Sequence, residues 1–416
     1  MLALTWRPQL APIDPPARSS FDAALIRRGE QLAGVGNCAA CHTTRDGGPY
    51  AGGVALATPF GTVHGTNLTP DPDTGIGRWS EAAFRRAMRD GVARSGSRLY
   101  PVFPFDHYAR ASDDDLQALY AYFMSLPAVH APTPKSALKF PFGIRPLMAG
   151  WNALFHDPAP MQPDPQQSAE WNRGAYLVNG LGHCGACHTP RNTLGAEQGG
   201  SAYLSGAMVE GWEAPALTAL ASKSAVPWNA ESLYRYLRHG HSPQHGTAGG
   251  PMAEVVRELA QVPDADLRAM ADYLASFNAQ TSEAEAGAQA QRAVAAAAAA
   301  ARRGQLLGPA QRLFDGACAA CHHDGNGPTL LGVNVPLALN SNLTSARPDN
   351  LLRTILDGVR EPAARDIGFM PAFREALDDA QIAELAGYMR ARFAPQAPAW
   401  TDLPASVARL RAVPPD

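Results

Sequence analysis

The pentapeptide Cys38-Ala39-Ala40-Cys41-His42 recurs as Cys184-Gly185-Ala186-Cys187-His188 and as Cys318-Ala319-Ala320-Cys321-His322. The three copies use all six cysteines and stand 146 and 134 residues apart, a domain-sized interval. Two thiols with two residues between them and a histidine directly after form the attachment pattern for c-type haem. The thiols add to the two vinyl groups of one haem, and the adjacent imidazole comes to lie under the iron. Other readings fit worse. A structural zinc site takes two such pairs around one ion, and three pairs leave one over. A thioredoxin-like redox pair needs a βαβ context and no following histidine. Three covalently bound c-type haems are therefore expected. Cys38, Cys41, Cys184, Cys187, Cys318 and Cys321 would attach them, with His42, His188 and His322 as proximal ligands.

Around each copy the same helical unit repeats. An amphipathic helix is predicted before each motif, over 21–33, 170–178 and 305–314. Arg28-Gly29, Arg173-Gly174 and Arg303-Gly304 recur ahead of the cysteines, the glycines giving clearance for helix packing. A closing helix follows in each unit: Asp113-Asp-Asp-Leu, Asp264-Ala-Asp-Leu and Asp378-Asp-Ala-Gln each lead into apolar residues at helical spacing. Acidic starts suit a helix N-terminus. Tyr122, Tyr273 and Tyr388 share one position and read as core. Between the ends, Asn67-Leu-Thr and Asn342-Leu-Thr precede helices over 80–91 and 348–358. Pro215-Ala-Leu-Thr is a fainter echo before a helix over 229–240. These turns are expected to shape the loop at the haem edge rather than to be glycosylated.

The expected fold class is all-α: three tandem cytochrome c domains, at 17–130, 165–280 and 300–396, joined by a Pro-rich and an Ala-rich linker. The first linker, 131–164, carries Phe140, Phe142, Trp151 and Phe155 and should wrap the surface or meet a partner. The second, 281–299, is Ala-rich and should be helical. Residues 397–416 read as an extended arm with one short amphipathic turn.

The sixth iron ligand is expected in a loop before the closing helix, and a methionine there raises the potential while a histidine lowers it. Gly250-Pro251-Met252 and Gly368-Phe369-Met370-Pro371 supply Met252 and Met370. In the first unit Phe103 stands where methionine is expected, and phenylalanine cannot bind iron. His107, four residues on, lies almost as far from its motif as Met252 does from its own, so ligation by His42 and His107 is expected. Met88, His64 and a five-coordinate iron are the alternatives. His183 and His323 read as surface or propionate contacts; His239, His241 and His245 match no standard metal site.

Composition narrows the function. Lys and Arg number 35 against 38 Asp and Glu, a net charge of −3 with no basic stripe, which argues against nucleic-acid binding. No run of eighteen apolar residues is present. Covalent haem attachment takes place outside the bacterial inner membrane. The start Met1-Leu-Ala-Leu-Thr-Trp6 lacks the basic residues and apolar length of a signal peptide. An upstream signal or anchor segment is therefore expected, placing the protein in the periplasm at the outer face of that membrane.

With Asn67-Leu-Thr-Pro-Asp, Gly75-Ile-Gly-Arg-Trp-Ser, Ala169-Glu-Trp-Asn-Arg-Gly-Ala-Tyr-Leu, Cys187-His-Thr-Pro-Arg-Asn and Gly250-Pro-Met-Ala-Glu-Val-Val added to the haem motifs, the chain resembles a known family over almost its whole length. That family is the tri-haem cytochrome c subunit of bacterial membrane-bound dehydrogenases. Phe103-Pro-Phe-Asp-His107-Tyr is similar to the branch that partners molybdenum hydroxylases acting on aldehydes, nicotinate or isoquinoline. The resemblance implies a molybdopterin-containing large subunit and a two-cluster iron–sulfur small subunit as electron donors, with membrane quinone or a terminal oxidase as acceptor. The sequence carries nothing like a nucleophile elbow, phosphate loop or catalytic triad, so no substrate chemistry is expected in this chain. The alternatives are a cytochrome subunit of a quinoprotein alcohol or flavoprotein sugar-acid dehydrogenase, a peroxidase-like haem enzyme with an open first iron, and a free diffusible carrier. Binding of carbon monoxide or cyanide would mark the enzyme.

Overall fold

The computed structural model describes residues 7–222, 224–278, 281–302, 308–322 and 336–414. Its longer helices are α1 (Ala23–Val35), α2 (Glu81–Asp90), α3 (Asp113–Ser125), α4 (Met148–Phe155), α5 (Ala169–Asn179), α6 (Ala230–His239), α7 (Pro251–Leu259), α8 (Asp264–Ala275), α9 (Glu283–Arg302), α10 (Pro309–Ala317), α11 (Asp349–Asp357), α12 (Asp379–Phe393) and α13 (Leu403–Arg411). Starts follow local chemistry. Asp22, Ser80, Ser112, Ser168, Asn229 and Asp378 each cap a helix by accepting a backbone N–H of its first turn.

The fold is helix-rich but not purely helical. Strands β1 (Ala55–Thr58) and β2 (Gly61–His64) form an antiparallel hairpin, and β3 (Ala137–Leu138) adds to β2. Two smaller hairpins join β4 (Ala207–Val209) to β5 (Trp212–Ala214) and β6 (His241–Ser242) to β7 (Gly246–Thr247). These strands are two to four residues long, too short for an alternating pattern to reveal them in the sequence.

By contact density the chain divides into two compact units. One comprises Met1–Ala186, Arg191–Glu197 and Glu258–Ala269; the other comprises Cys187–Pro190, Gln198–Arg257 and Met270–Asp416. In the first, α1 crosses α3 at Gly29, where a Cβ would overlap the Ala118 carbonyl and approach Tyr122 Cβ to 2.6 Å. Leu32, Val35, Leu116, Leu119 and Phe123 are buried there. The Arg-Gly pairs gain a second role. Arg28 meets Asp115 at 2.5 Å, and Arg173 forks onto Asp266 at 2.8 and 2.7 Å, so each arginine locks an opening helix to the acidic start of a closing one. The bidentate geometry of the second pair is the stronger. Arg303-Gly304 and His323 lie outside the described residues.

The Pro-rich stretch does not hang free. Its β3 joins the hairpin, and α4 buries Met148 and Trp151 beside Tyr100 and Phe105. The Ala-rich stretch is α9. The tail differs from the expected extended arm: α13 runs over nine residues, with Val407 and Leu410 buried and Arg409 and Arg411 paired to Asp349 and Asp379. Leu403, Val407 and Leu410 follow helical spacing, and Pro404 sits in the tolerated first turn.

Candidate haem-attachment sites

The first motif is a helical turn, Cys38–His42, entered through a left-handed Asn37 (φ 46°). The second is entered the same way, through His183 (φ 34°), before the turn Gly185–His188. In the third, the N–H groups of Cys321 and His322 donate to the Cys318 carbonyl at 3.1 and 2.9 Å, forming a turn after α10. None of the six cysteines is in a disulfide. Burial, with Cys41 nearby, pushes the Cys38 thiol up to about 12; burial pushes Cys318 up to about 11.

The histidines of the first two motifs carry the telling geometry. His42 Nδ1–H donates to the Thr66 carbonyl at 2.6 Å, and His188 Nδ1–H donates to the Pro215 carbonyl at 2.7 Å. A backbone acceptor on Nδ1 fixes the tautomer and leaves the lone pair on Nε2, the arrangement a metal-bound imidazole requires. Burial lowers both pKa values and keeps the rings neutral. Two thiols and a neutral, oriented imidazole on one turn fit c-type haem.

The acceptors explain the repeated turn. Thr66 and Pro215 each stand immediately before it, ahead of Asn67-Leu68-Thr69 and Ala216-Leu217-Thr218. Asn67 is 1% exposed. Its Oδ1 accepts from the Thr69 backbone at 2.9 Å and hydroxyl at 2.7 Å, and its Nδ2 donates to the Val129 carbonyl at 2.8 Å. The side chain is thus spent on holding the loop. Gly65 lies so close to the motif that a Cβ would overlap the Cys41 carbonyl.

The candidate sixth ligands are placed differently. Met252 lies in the first turn of α7, partly buried beside Ala248, Val256 and Ile367. Met370 is held by backbone bonds to Val359 at 2.9 and 3.2 Å. His107 is buried, with Nδ1 3.0 Å from the Asn179 carbonyl and Nε2 2.7 Å from Glu197 Oε1. Both partners are acceptors, so both nitrogens donate and the ring is an imidazolium. Burial opposes that charge, but the Glu197 carboxylate outweighs it and raises the pKa. Glu197 was not singled out in the sequence; nothing in its surroundings there marks it. Asp106, His107 and Glu197 form the one group among the described residues whose donor atoms converge as a metal site would require. Met88 is buried in α2, and His64 ends β2 with Nδ1 buried and lacking a partner among the described residues. His183 is half-buried rather than on the surface, and its Nε2–H donates to the Gly36 carbonyl at 3.1 Å. The leading residues of the first two motifs therefore touch.

His245 is structural. It stacks on Trp228 at 3.8 Å, accepts from the Ser242 hydroxyl at Nδ1 and donates from Nε2 to the Val226 carbonyl. Only the neutral ring can do both, and burial lowers its pKa from 6.5 to about 4. Its contribution is complete above the unfolded pKa of ~6.5 and is lost as pH falls from there to about 4. The expected loss is about 3 kcal/mol, read as an acid slope in unfolding free energy. His245→Asn should flatten that slope; an unchanged slope would refute the assignment.

Three haem-type motifs, two of them with carbonyl-oriented imidazoles, on a helix-rich scaffold define a c-type cytochrome, an electron-transfer protein. The family described as "Cytochrome c" matches residues 26–127, and "Cytochrome C oxidase, cbb3-type, subunit III" matches residues 306–389. More narrowly, the chain belongs to the family of cytochrome c subunits of bacterial dehydrogenases. It is 37% identical to the fructose dehydrogenase cytochrome subunit of Gluconobacter japonicus, over 91% of this chain and 81% of that one. It is 38% identical to the gluconate 2-dehydrogenase cytochrome c subunit of Pantoea cypripedii, over 88% of this chain and 85% of that one. It is 52% identical to a subunit of nicotinate dehydrogenase from Pseudomonas putida over 99% of this chain, which spans 34% of the length of that relative.

Proposed function

We propose that this chain is the tri-haem electron-transfer subunit of a periplasmic dehydrogenase of the molybdenum-hydroxylase type, attached to the outer face of the inner membrane. Electrons would arrive from a molybdopterin-containing large subunit through a two-cluster iron–sulfur subunit and leave to membrane quinone or a terminal oxidase. Aldehydes or N-heteroaromatics are the substrates of the partner in this reading. The observation that carries it is Phe103-Pro-Phe-Asp-His107-Tyr, with phenylalanine in place of a ligating methionine. The 52% likeness to a nicotinate dehydrogenase subunit supports the same branch. Relatives at 37 and 38% identity support the second reading, a subunit of a sugar or sugar-acid dehydrogenase.

Three cytochrome c domains, 17–130, 165–280 and 300–396, would each hold one haem on its two cysteines. Bound haem supplies one-electron redox chemistry, and the protein supplies ligation, burial and spacing. The Thr66 and Pro215 carbonyls hold His42 and His188 in the ligating tautomer. Met252 and Met370 would complete the second and third sites. In the first, His107 would bind through Nε2, which must first give up its proton and leave Glu197.

The test is purification from native membranes followed by haem, metal and cofactor analysis. Three haems per chain with molybdenum and acid-labile sulfide are expected. Bound quinone cofactor or flavin without molybdenum would move the protein to the second reading.

The ligand role of His107 has its own test in His107→Ala. Where Nε2 stays on Glu197, the variant should lose about 2 kcal/mol of stability, because the carboxylate loses its close cation and is left with Arg191, at 3.6 Å. If Nε2 ligates iron, one haem turns high-spin and binds carbon monoxide. A fully low-spin spectrum would remove His107 from the ligand set.

A further inference from the structure

We infer that the Pro-rich segment between Lys135 and Phe155 is an interfacial membrane contact that seats the first unit on an anionic lipid surface. This goes beyond the electron-transfer reading and does not depend on it. Large apolar side chains are exposed here in a way few soluble surfaces tolerate. Phe140 is 88% exposed, Leu154 71% and Leu147 50%. Helix α4 buries Met148 and Trp151 on one side, yet its outer side presents Leu147, Gly150 and Leu154 at helical spacing with no charged residue in the helix. A solvent-facing helix normally carries polar residues on that side.

Contacts tie the two ends of the segment together. Phe142 packs on Phe60 at 4.6 Å between ring centroids, and Phe60 lies against Gly195. The neighbouring Leu194 is 51% exposed, and its carbonyl accepts from Trp151 Nε1 at 3.1 Å. Trp151 in turn stands 5.5 Å from Phe155, at the end of α4.

Charge selects the occupant. From Leu116 to His156 the chain holds no aspartate or glutamate, while Lys135, Lys139 and Arg145 flank the exposed rings. Two of the three lysines in the whole chain fall here. Apolar side chains rimmed by long cationic ones are the composition of interfacial segments that lie in the headgroup layer. Among the described residues no helix is long and apolar enough to cross a membrane. An in-plane contact needs no such helix, because its side chains reach only to the headgroup–acyl boundary.

The experiment is flotation of the full-length holoprotein with vesicles rich in phosphatidylglycerol, against pure phosphatidylcholine vesicles. The wild type should float with the anionic vesicles, less with the neutral ones, and release with salt. The triple variant Phe140→Ser, Leu147→Ser, Leu154→Ser should partition about tenfold more weakly with an unchanged haem spectrum. Lys135→Gln with Lys139→Gln should reduce the preference for anionic lipid. Wild-type protein that floats with neither vesicle, or a triple variant that binds as well as wild type, would overturn the inference. So would a triple variant that still binds vesicles but no longer retains the catalytic subunits, since the patch would then be a protein interface.

Discussion

Gly65→Ala is expected to remove covalent haem from the first motif and to destabilise the first unit by about 4 kcal/mol or more. The added methyl would meet the carbonyl carbon of Cys41 at 2.8 Å and overlap its oxygen, with the His42 nitrogen at 3.6 Å. None of these atoms belongs to a side chain that can rotate away. Either the motif turn or the strand end must move, and the next residue, Thr66, holds His42 in its ligating tautomer. A shift of a few tenths of an ångström would lengthen that 2.6 Å bond and release the ring. Haem-stain gels and the haem-to-protein ratio read the result, expected to fall by one haem per chain. A variant that keeps the wild-type haem content and unfolding midpoint would show that the close approach is relaxed in solution.

That constraint marks a limit of sequence reading. The motifs themselves were legible, because two thiols and an imidazole at fixed spacing admit few chemistries. The helix locks were half legible. Arg28-Gly29 and Arg173-Gly174 recur visibly, and the acidic starts of α3 and α8 recur visibly. Their pairing, at 2.5 Å in one copy and 2.7 to 2.8 Å in the other, needed the fold. The third copy departs in an informative way: Gln381 stands in the capping box of α12 where the acidic partner would be.

The proximal acceptors were not legible at all. A carbonyl is the same on any residue, so Thr66 and Pro215 share a role without sharing a side chain. Only their common place before a Leu-Thr turn hinted at it. His107 shows the converse. Its spacing from the first motif matches that of Met252 from the second, yet spacing says nothing of what each nitrogen meets. Glu197 reaches it from 90 residues away. The short hairpins escaped for a third reason, since a strand of two to four residues is too short to show a clear period.

Asp357→Ala should cost about 3–5 kcal/mol in the second unit, because it takes the carboxylate from a buried guanidinium. Arg353 is fully buried on α11, with Nε 3.2 Å from Asp357, and stacks 5.5 Å from the Trp212 ring. The same carboxylate holds Arg374, at 2.9 Å from Nε and 2.5 Å from the terminal nitrogen. Residues 357 and 374 bracket the loop that carries Met370. Backbone bonds from Phe373 to Ile355 at 3.0 Å and from Arg374 to Leu356 at 3.1 Å close its base. The carboxylate therefore does two things: it neutralises two cations and ties the far end of the Met370 loop to α11. Neutral carbonyls also accept from these arginines, that of Pro414 from Arg353 and that of Arg411 from Arg374, but a carbonyl does not replace the lost negative charge. Chemical denaturation reads the stability. The methionine–iron charge-transfer band reads the loop, and its loss from one haem is expected if Met370 ligates. Asp357→Asn should recover part of the stability, since an amide oxygen can still accept from one arginine. Retention of wild-type stability in Asp357→Ala would mean that the two arginines are reached by water, and would remove the clasp from the account of how Met370 is held.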